Sequence, residues 1–289
     1  MRISQLSATR RPVFSFEFFP PKTDAGYRAL YRTIEELKQL EPAFVSVTSH
    51  ARGENRSKTA ELVIRIQNEL GITAMAHMTC AGQTPAELAA TLAELSRAGI
   101  ENVMALRGDA PSDQPDWRPV PGGFRYGSEL AAFVKSRGGF SIGGGCYPEV
   151  HPEAPSAAAD LANLKSKLAA GAEFLITQLF LNNTHYFRFV DRARAEGIAV
   201  PIVPGIMPIV SLANLRGAMR NAPTSETPLE LERALADAET DKERSLAIGV
   251  EWATRQCREL LAHGAPGIHF YTLNQSPATR RVHANLVNR

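Results

Sequence analysis

One carboxylate stands among aromatic side chains in the run Phe14-Ser15-Phe16-Glu17-Phe18-Phe19-Pro20-Pro21. Aromatic residues favour strands and Pro-Pro stops one, so Glu17 belongs at the C-terminal end of a strand. A bare carboxylate in apolar surroundings costs several kcal/mol unless it is paired or protonated. Two readings are open. Glu17 is either an edge-strand residue turned to water by the alternation of strand faces, or a carboxyl of raised pKa kept as a proton donor.

Other chemistry-bearing residues sit at the ends of apolar runs. They are Thr48, Ser49 and His50; His77 and Thr79; Arg107-Gly108-Asp109; Gly143-Gly144-Gly145 leading to Tyr147, Glu149 and His151; Thr177 and Gln178; and Tyr271, Asn274 and Gln275. Each has a plainer reading beside the functional one. His77 fits a satisfied core histidine, Asp109 a turn with Gly108, and Lys167 a solvated helix lysine. The glycine run fits a bulge or the close approach of a flat ligand. His77, Asp109, His151 and His269 are metal-ligating types, but there is neither an HxH after the first strand nor an HExxH, and no metal site is expected. GxSxG, a P-loop and a strand-end lysine for Schiff-base chemistry are also missing.

The elements that must position these residues alternate. Strands are predicted over 13–18, 44–48, 73–79, 102–107, 141–147, 174–179, 200–206 and 267–273. Helical spacing lies between them: Leu30, Ile34, Leu37 and Leu40 recur on one face of 27–40. The segment 84–99 opens with Thr84, Pro85 and a capping-box Glu87 and closes on Gly99, and 156–172 follows the same pattern. Strand–helix alternation implies a parallel sheet, and eight units in roughly 250 residues fit a (βα)8 TIM barrel. A Rossmann sheet is disfavoured because no GxGxxG follows the first strand. Residues 222–247 are polar, and extra helical turns on a solvated surface are expected there, between strands seven and eight. One domain over 1–289 is expected, with its site at the C-terminal ends of the strands.

Composition sets the outer limits. The chain has 289 residues, 44% hydrophobic and 21% charged, with a net charge of +2, so neither nucleic acid nor a membrane surface is expected as a partner. Three cysteines without a CxxC pair fit a reducing cytoplasm, and the N-terminus has no apolar signal core.

The runs FSFEFFPPK, SVT, AHMTC, LRGD, YPEVHPEA, LKSKLAAGAEFLITQLF, VPGIMPI and HFYTLNQ resemble the methylenetetrahydrofolate reductase family in content, order and spacing, from about residue 12 to residue 287. The length resembles the bacterial form, a catalytic barrel alone. The resemblance implies a homo-oligomeric FAD enzyme of one-carbon metabolism and methionine supply. It would interconvert 5,10-methylenetetrahydrofolate and 5-methyltetrahydrofolate by ping-pong hydride transfer, with NADH or NADPH as donor. It implies that Glu17 is the general acid of ring opening and that Asp109 acts near the flavin and pterin. Gln178, Tyr271 and Gln275 would join Glu17 in contacting substrate. Thr48, Ser49, Ala51, His77, Arg107, Gly108, Asp109, Tyr126, Gly127, Tyr147, His151, Ala154, Asp160, Asn163 and Lys167 would hold FAD.

Two positions depart from the family pattern. The family's F-Y-T-L-N-R ends here in Gln275, with Arg280 and Arg281 as nearby substitutes for the lost guanidinium. The segment 211–221 has no aromatic to stack on a ring, leaving Leu215, Ala218 or Met219 in its place. A variant reading is therefore the same folate chemistry run mainly as 5-methyltetrahydrofolate oxidation, with poor NAD(P)H use. A reading from another class is a metal-dependent barrel lyase or hydrolase built on His77, Asp109 and His151.

Overall fold

The computed structural model describes residues 1–5, 12–49, 56–108 and 118–287. Strands β1 (Val13–Phe18), β2 (Phe44–Val47), β3 (Ala74–Thr79), β4 (Asn102–Leu106), β5 (Ser141–Cys146) and β6 (Phe174–Thr177) alternate with helices α1 (Asp24–Lys38), α2 (Arg56–Leu70), α3 (Pro85–Arg97), α4 (Gly127–Arg137) and α5 (Ala157–Ala169). Helix α6 (Asn183–Ala195) leads to β7 (Ile202–Val203) and β8 (Gly205–Ile206), which are two halves of the seventh barrel strand broken at Pro204. Helices α7 (Leu212–Asn221), α8 (Leu229–Asp237) and α9 (Lys242–Ala262) precede β9 (Gly267–Tyr271) and α10 (Pro277–Val287).

Every pairing is parallel, in the order β7-β6-β5-β4-β3-β2-β1-β9-β8. Because β7 and β8 adjoin through Pro204, that order closes a (βα)8 barrel. Proline splits the seventh strand because it has no N–H to donate to the ladder. Its carbonyl still accepts from His269 N–H at 2.9 Å, so β7 pairs only with β6 and β8 only with β9.

Alternation along each strand sorts the side chains. Phe16 and Phe18 are buried outward against Leu30, Ile34 and Leu37 of α1. The lower interior is apolar, filled by Val13, Phe44, Met75, Met104, Phe174 and Val203, with Ile3 packed against them. The upper interior is polar. The helix caps form as the spacing predicts: Thr84 and Glu87 make a reciprocal capping box on α3, and Ser156 caps α5.

The region between strands seven and eight is helical, but it is not merely a solvated surface. Leu231 and Leu235 of α8 are fully buried with Leu212 and Leu215 in a satellite core above the barrel wall. The polar residues of the segment hid a narrow apolar stripe at helical spacing.

Candidate active site

Strand period two sets Ser15 and Glu17 on the inner face of β1, Ser46 on that of β2, His77 on that of β3, and His269 and Tyr271 on that of β9. They converge on one carboxylate. Glu17 Oε2 lies 3.4 Å from Ser46 Oγ, 3.4 Å from His77 Nε2 and 3.5 Å from His269 Nε2. Ser15 Oγ holds the other ring nitrogen of His269, Nδ1, at 2.7 Å. Ser15, Ser46 and His269 have no exposure, and His77 has little.

The surroundings of Glu17 correct an expectation. The flanking phenylalanines point to the opposite face, so the carboxyl meets hydroxyls and imidazoles. Burial is the largest influence on it and pushes its pKa up. The His269 hydrogen bond, the charges of His77 and His269, and Ser46 together outweigh burial, and the net direction is down. His77 is lowered as well, because burial disfavours the imidazolium more than Glu17 favours it. At neutral pH His77 is therefore neutral.

The end of β9 fixes the end of β1. Thr272 Oγ1 donates to the Glu17 carbonyl at 2.6 Å. Asn274, at φ 58°, accepts from Phe19 N–H at 3.0 Å and donates to Phe19 O at 2.8 Å. The Thr-Leu-Asn turn thus clamps both sides of the strand end that carries Glu17. Tyr271 donates from its hydroxyl to Thr177 O at 2.5 Å across the broken seventh strand. A Cβ on Gly205 would come within 2.5 Å of that hydroxyl and 2.6 Å of Thr177 O, so this crossing requires glycine.

A cleft of about 1230 Å³ opens between the ends of β4, β5 and α5. Pockets for ordinary small ligands span roughly 300–1,000 Å³, so the cleft suits an extended ligand. Its wall brings together nine of the predicted cofactor residues: Arg107, Tyr126, Gly127, Tyr147, His151, Ala154, Asp160, Asn163 and Lys167. The turn after β5 is internally bonded. Tyr147 and His151 meet edge to face at 4.5 Å, and His151 Nδ1 accepts from Glu153 N–H at 3.1 Å. One oxygen of Asp160 accepts from His151 N–H at 3.1 Å.

The electrostatics of the cleft are lopsided. Among the described residues, Arg107, Arg118, Arg125 and Lys167 face two carboxylates, Glu153 and Asp160. Arg107 is held bidentately by Glu153, at 2.5 and 2.7 Å. Lys167 has no carboxylate within ion-pair distance among the described residues; its Nζ donates to Gly145 O at 2.6 Å. Its stem lies across Gly144, where a Cβ would come within 2.7 Å of Lys167 Cδ. Burial lowers the Lys167 pKa, the expected direction for an ammonium short of counter-charge. The plain reading of Lys167 as a solvated helix residue therefore fails.

The remaining predicted residues fall elsewhere. Ser49 and His77 border a small pocket behind β3. Thr48 N–H donates to Phe18 O at 2.8 Å, and Gly108 takes φ 84° with its carbonyl accepting from Arg107 Nε. Gln178 turns its amide oxygen back onto Leu179 N–H at 2.7 Å. Gln275 is exposed on the turn after β9, where its N–H donates to Thr272 O at 2.9 Å. Arg280 lies 3.7 Å from Glu36 and Arg281 2.8 Å from Glu243, so both proposed substitutes for the lost arginine are engaged elsewhere. Leu215 and Ala218 are buried in the satellite core, and neither replaces a stacking aromatic. His50, Ala51 and Asp109 lie outside the described residues. The set His77, Asp109, His151 and His269 is not assembled by the described residues: His77 and His269 meet at Glu17, whereas His151 lines the cleft.

Sequence reasoning missed Ser15 and Ser46 in the cluster and Arg118, Arg125, Ser128 and Glu153 in the cleft. A signal existed for the serines. Each lies two residues before a named residue, Glu17 or Thr48, and so shares its strand face.

The model of the family described as methylenetetrahydrofolate reductase matches residues 2–287. "Methylenetetrahydrofolate reductase (NADH) 1" of Arabidopsis thaliana is 37% identical over 298 residues, covering 99% of this chain and 50% of that protein. The chain thus spans about half the length of the plant relatives it matches. The 5,10-methylenetetrahydrofolate reductase of Escherichia coli (strain K12) is 38% identical over 266 residues, 91% of this chain and 86% of that one. Among solved structures, an uncharacterized protein from Clostridium thermocellum that binds two copies of 5-methyl-5,6,7,8-tetrahydrofolic acid aligns with TM-score 0.69 and 15% identity. It covers 99% of this chain and 98% of that chain, a likeness of fold. A match across nearly every residue, with relatives 37% and 38% identical, establishes that this chain belongs to the methylenetetrahydrofolate reductase family.

Proposed function

We propose that this chain is a methylenetetrahydrofolate reductase that binds FAD in the cleft and uses Glu17 to protonate folate. The observation that carries the reading is the half-buried Lys167 ammonium, without a carboxylate partner among the described residues, in a cleft where those residues set four cationic side chains against two carboxylates. That excess suits the pyrophosphate of a dinucleotide. Lys167 and Arg118 would meet the phosphates. The free oxygen of Asp160 would accept from a ribose hydroxyl, and Tyr147 and Tyr126 would offer planar faces. Arg107, Gly127, His151, Ala154 and Asn163 would complete the wall; Thr48, Ser49, His77 and Gly108, and by the family resemblance Ala51, would also contact the cofactor. FAD, when bound, supplies hydride transfer between the nicotinamide donor and folate, each using the site in turn.

The chain's own work is the proton. Opening the five-membered ring breaks the methylene–N10 bond, and N10 leaves as an amine only if it receives a proton. Glu17 is the donor, an effect of about 10²–10⁴-fold in rate for a well-placed acid. It must hold that proton near neutral pH. A ligand that covers the barrel mouth strips the remaining water from the carboxyl and strengthens burial, already the largest influence and the one that raises its pKa. His269, oriented by Ser15, and His77 would hold the carboxyl in place, and solvent reaching the barrel mouth would return its proton. Gln178 and Tyr271 would contact the pterin, Gln275 the anionic tail, and Asp109 would steady the cationic folate. The reduced folate bound by the Clostridium thermocellum neighbour supports a folate ligand for this barrel, and the plant relative's name supports NADH as donor. A single catalytic domain, a homo-oligomer and a cytoplasmic location belong to the same reading. No helix among the described residues is long and apolar enough to cross a membrane.

One observation favours the variant reading: α7 carries no aromatic, and its Leu215 and Ala218 are turned into the core. An anaerobic visible spectrum separates the two. A yellow protein bleached by NADH and by 5-methyltetrahydrofolate supports the reductase. Bleaching by the folate alone supports oxidation of 5-methyltetrahydrofolate with poor nicotinamide use. A colourless protein that does not take up FAD refutes the flavin reading.

A further inference from the structure

Outside the active site, three side chains from separate elements converge at the rim of the C-terminal face. Glu149 lies in the turn after β5, beside Val150 at φ 69°. His185 sits in the first turn of α6, and Glu226 lies between α7 and α8. One ligand atom from each falls within 4.8 Å of the others. His185 Nε2 is 2.7 Å from Glu226 Oε2 and 3.5 Å from Glu149 Oε1.

Hydrogen bonding leaves one atom of this grouping, Glu149 Oε2, unaccounted for. A single Nε2–H can serve one carboxylate, and the shorter distance assigns it to Glu226. That leaves Glu149 Oε1 with Glu226 N–H at 2.6 Å. Glu149 Oε2 is buried with no hydrogen-bond partner among the described residues, on a side chain only 6% exposed. A buried carboxylate oxygen without a donor is costly, and a second carboxylate close by makes it more so. Glu226 already has another donor, Asn182 Nδ2 at 3.0 Å.

We propose that Glu149, His185 and Glu226 form a binding site for a divalent first-row transition ion of the zinc type. A cation bound between them would give Glu149 Oε2 a partner, screen the two carboxylates from each other and take the Nε2 lone pair, the ring proton moving to Nδ1. Two carboxylates and one imidazole, with no thiolate, suit Zn²⁺, Co²⁺ or Mn²⁺. The imidazole disfavours Ca²⁺ and Mg²⁺, which take oxygen ligands. Three protein ligands leave coordination positions for water. The ion would tie the segment before α8 to the turn that carries Tyr147 and His151, reinforcing the existing bond from Thr224 Oγ1 to Val150 O at 3.0 Å. It therefore acts as a clamp on the cleft wall, apart from the chemistry at Glu17.

The test uses the full chain without a metal-binding tag, stripped with chelator, dialysed against zinc, passed through a desalting column and assayed for metal. The wild type is expected to keep a single equivalent of zinc. His185→Ala and Glu226→Gln, both at sites distant from Glu17, are expected to weaken binding by about tenfold or more, with unchanged circular dichroism. Titration with Co²⁺ gives a second readout: visible d–d absorption in the wild type, displaced by zinc and lost in His185→Ala. A wild type that retains no zinc, or variants that bind it as tightly as the wild type, overturns the proposal. Neither measurement depends on flavin or folate.

Discussion

Replacing Lys167 by methionine separates a binding role from a structural one, because the two roles predict opposite results. Methionine keeps the unbranched stem that lies across Gly144 and removes only the ammonium. In the cofactor-free chain, two effects oppose each other. The charge-assisted bond to Gly145 O is lost, worth about 1.5–3 kcal/mol. The partial burial of a cation with no carboxylate partner among the described residues is relieved, a smaller penalty than in a dry site because Lys167 lines an open cleft. Stability is therefore expected to stay within about 2 kcal/mol of the wild type, by urea denaturation of the stripped protein. FAD affinity has no such compensation. Loss of one charged hydrogen bond to phosphate costs about 1.5–3 kcal/mol, or roughly 10- to 150-fold in Kd at about 1.4 kcal/mol per decade, read by quenching of flavin fluorescence. Since burial lowers the Lys167 pKa, wild-type affinity is also expected to fall as the pH rises through that depressed value, and the methionine variant is expected to lose this dependence. The reasoning is refuted if the stripped variant is strongly destabilised while its FAD affinity is unchanged.

Gly205→Ala places a Cβ against Tyr271 Oη and Thr177 O, and a loss of about 1–3 kcal/mol is expected by urea denaturation. Asn274→Ala removes two bonds to the Phe19 backbone; about 1–3 kcal/mol of stability should go, together with part of the rate of the folate half-reaction. Leu231→Ala, in the segment that reads as polar surface, is expected to cost about 2–5 kcal/mol because Leu231 is fully buried. Burial holds the folded His77 pKa below the 6.5 of the free side chain, so the unfolded chain binds the extra proton. The stability His77 contributes is complete above 6.5 and declines as the pH falls through that value towards the folded one. Urea midpoints measured across that window should be flatter for His77→Gln.

Most of the fold was legible in the chain itself, because it depends on short-range patterns. Apolar runs of strand length, helical spacing at Leu30, Ile34 and Leu37, and the capping box at Thr84 are local, and they formed close to where their residues predict, except that the run 200–206 is broken at Pro204. The order of elements then left a parallel barrel as the economical closure. The family motifs also carried the membership of the chain, since they span nearly its whole length.

What the tertiary structure decided is which side chains meet. Glu17 reads as a carboxyl among phenylalanines, yet strand alternation turns Phe16 and Phe18 away and closure brings Ser46, His77 and His269 from three other strands. That reverses the expected direction of its pKa. Lys167 reads as an ordinary helix lysine until α5 docks and buries it. Leu231 reads as part of a polar insertion until α8 finds the satellite core. Glu149, His185 and Glu226 are 77 residues apart at their extremes, and no local pattern joins them. A local signal needs only its own neighbours, whereas an electrostatic environment is the sum of whatever the closed barrel brings within a few ångströms.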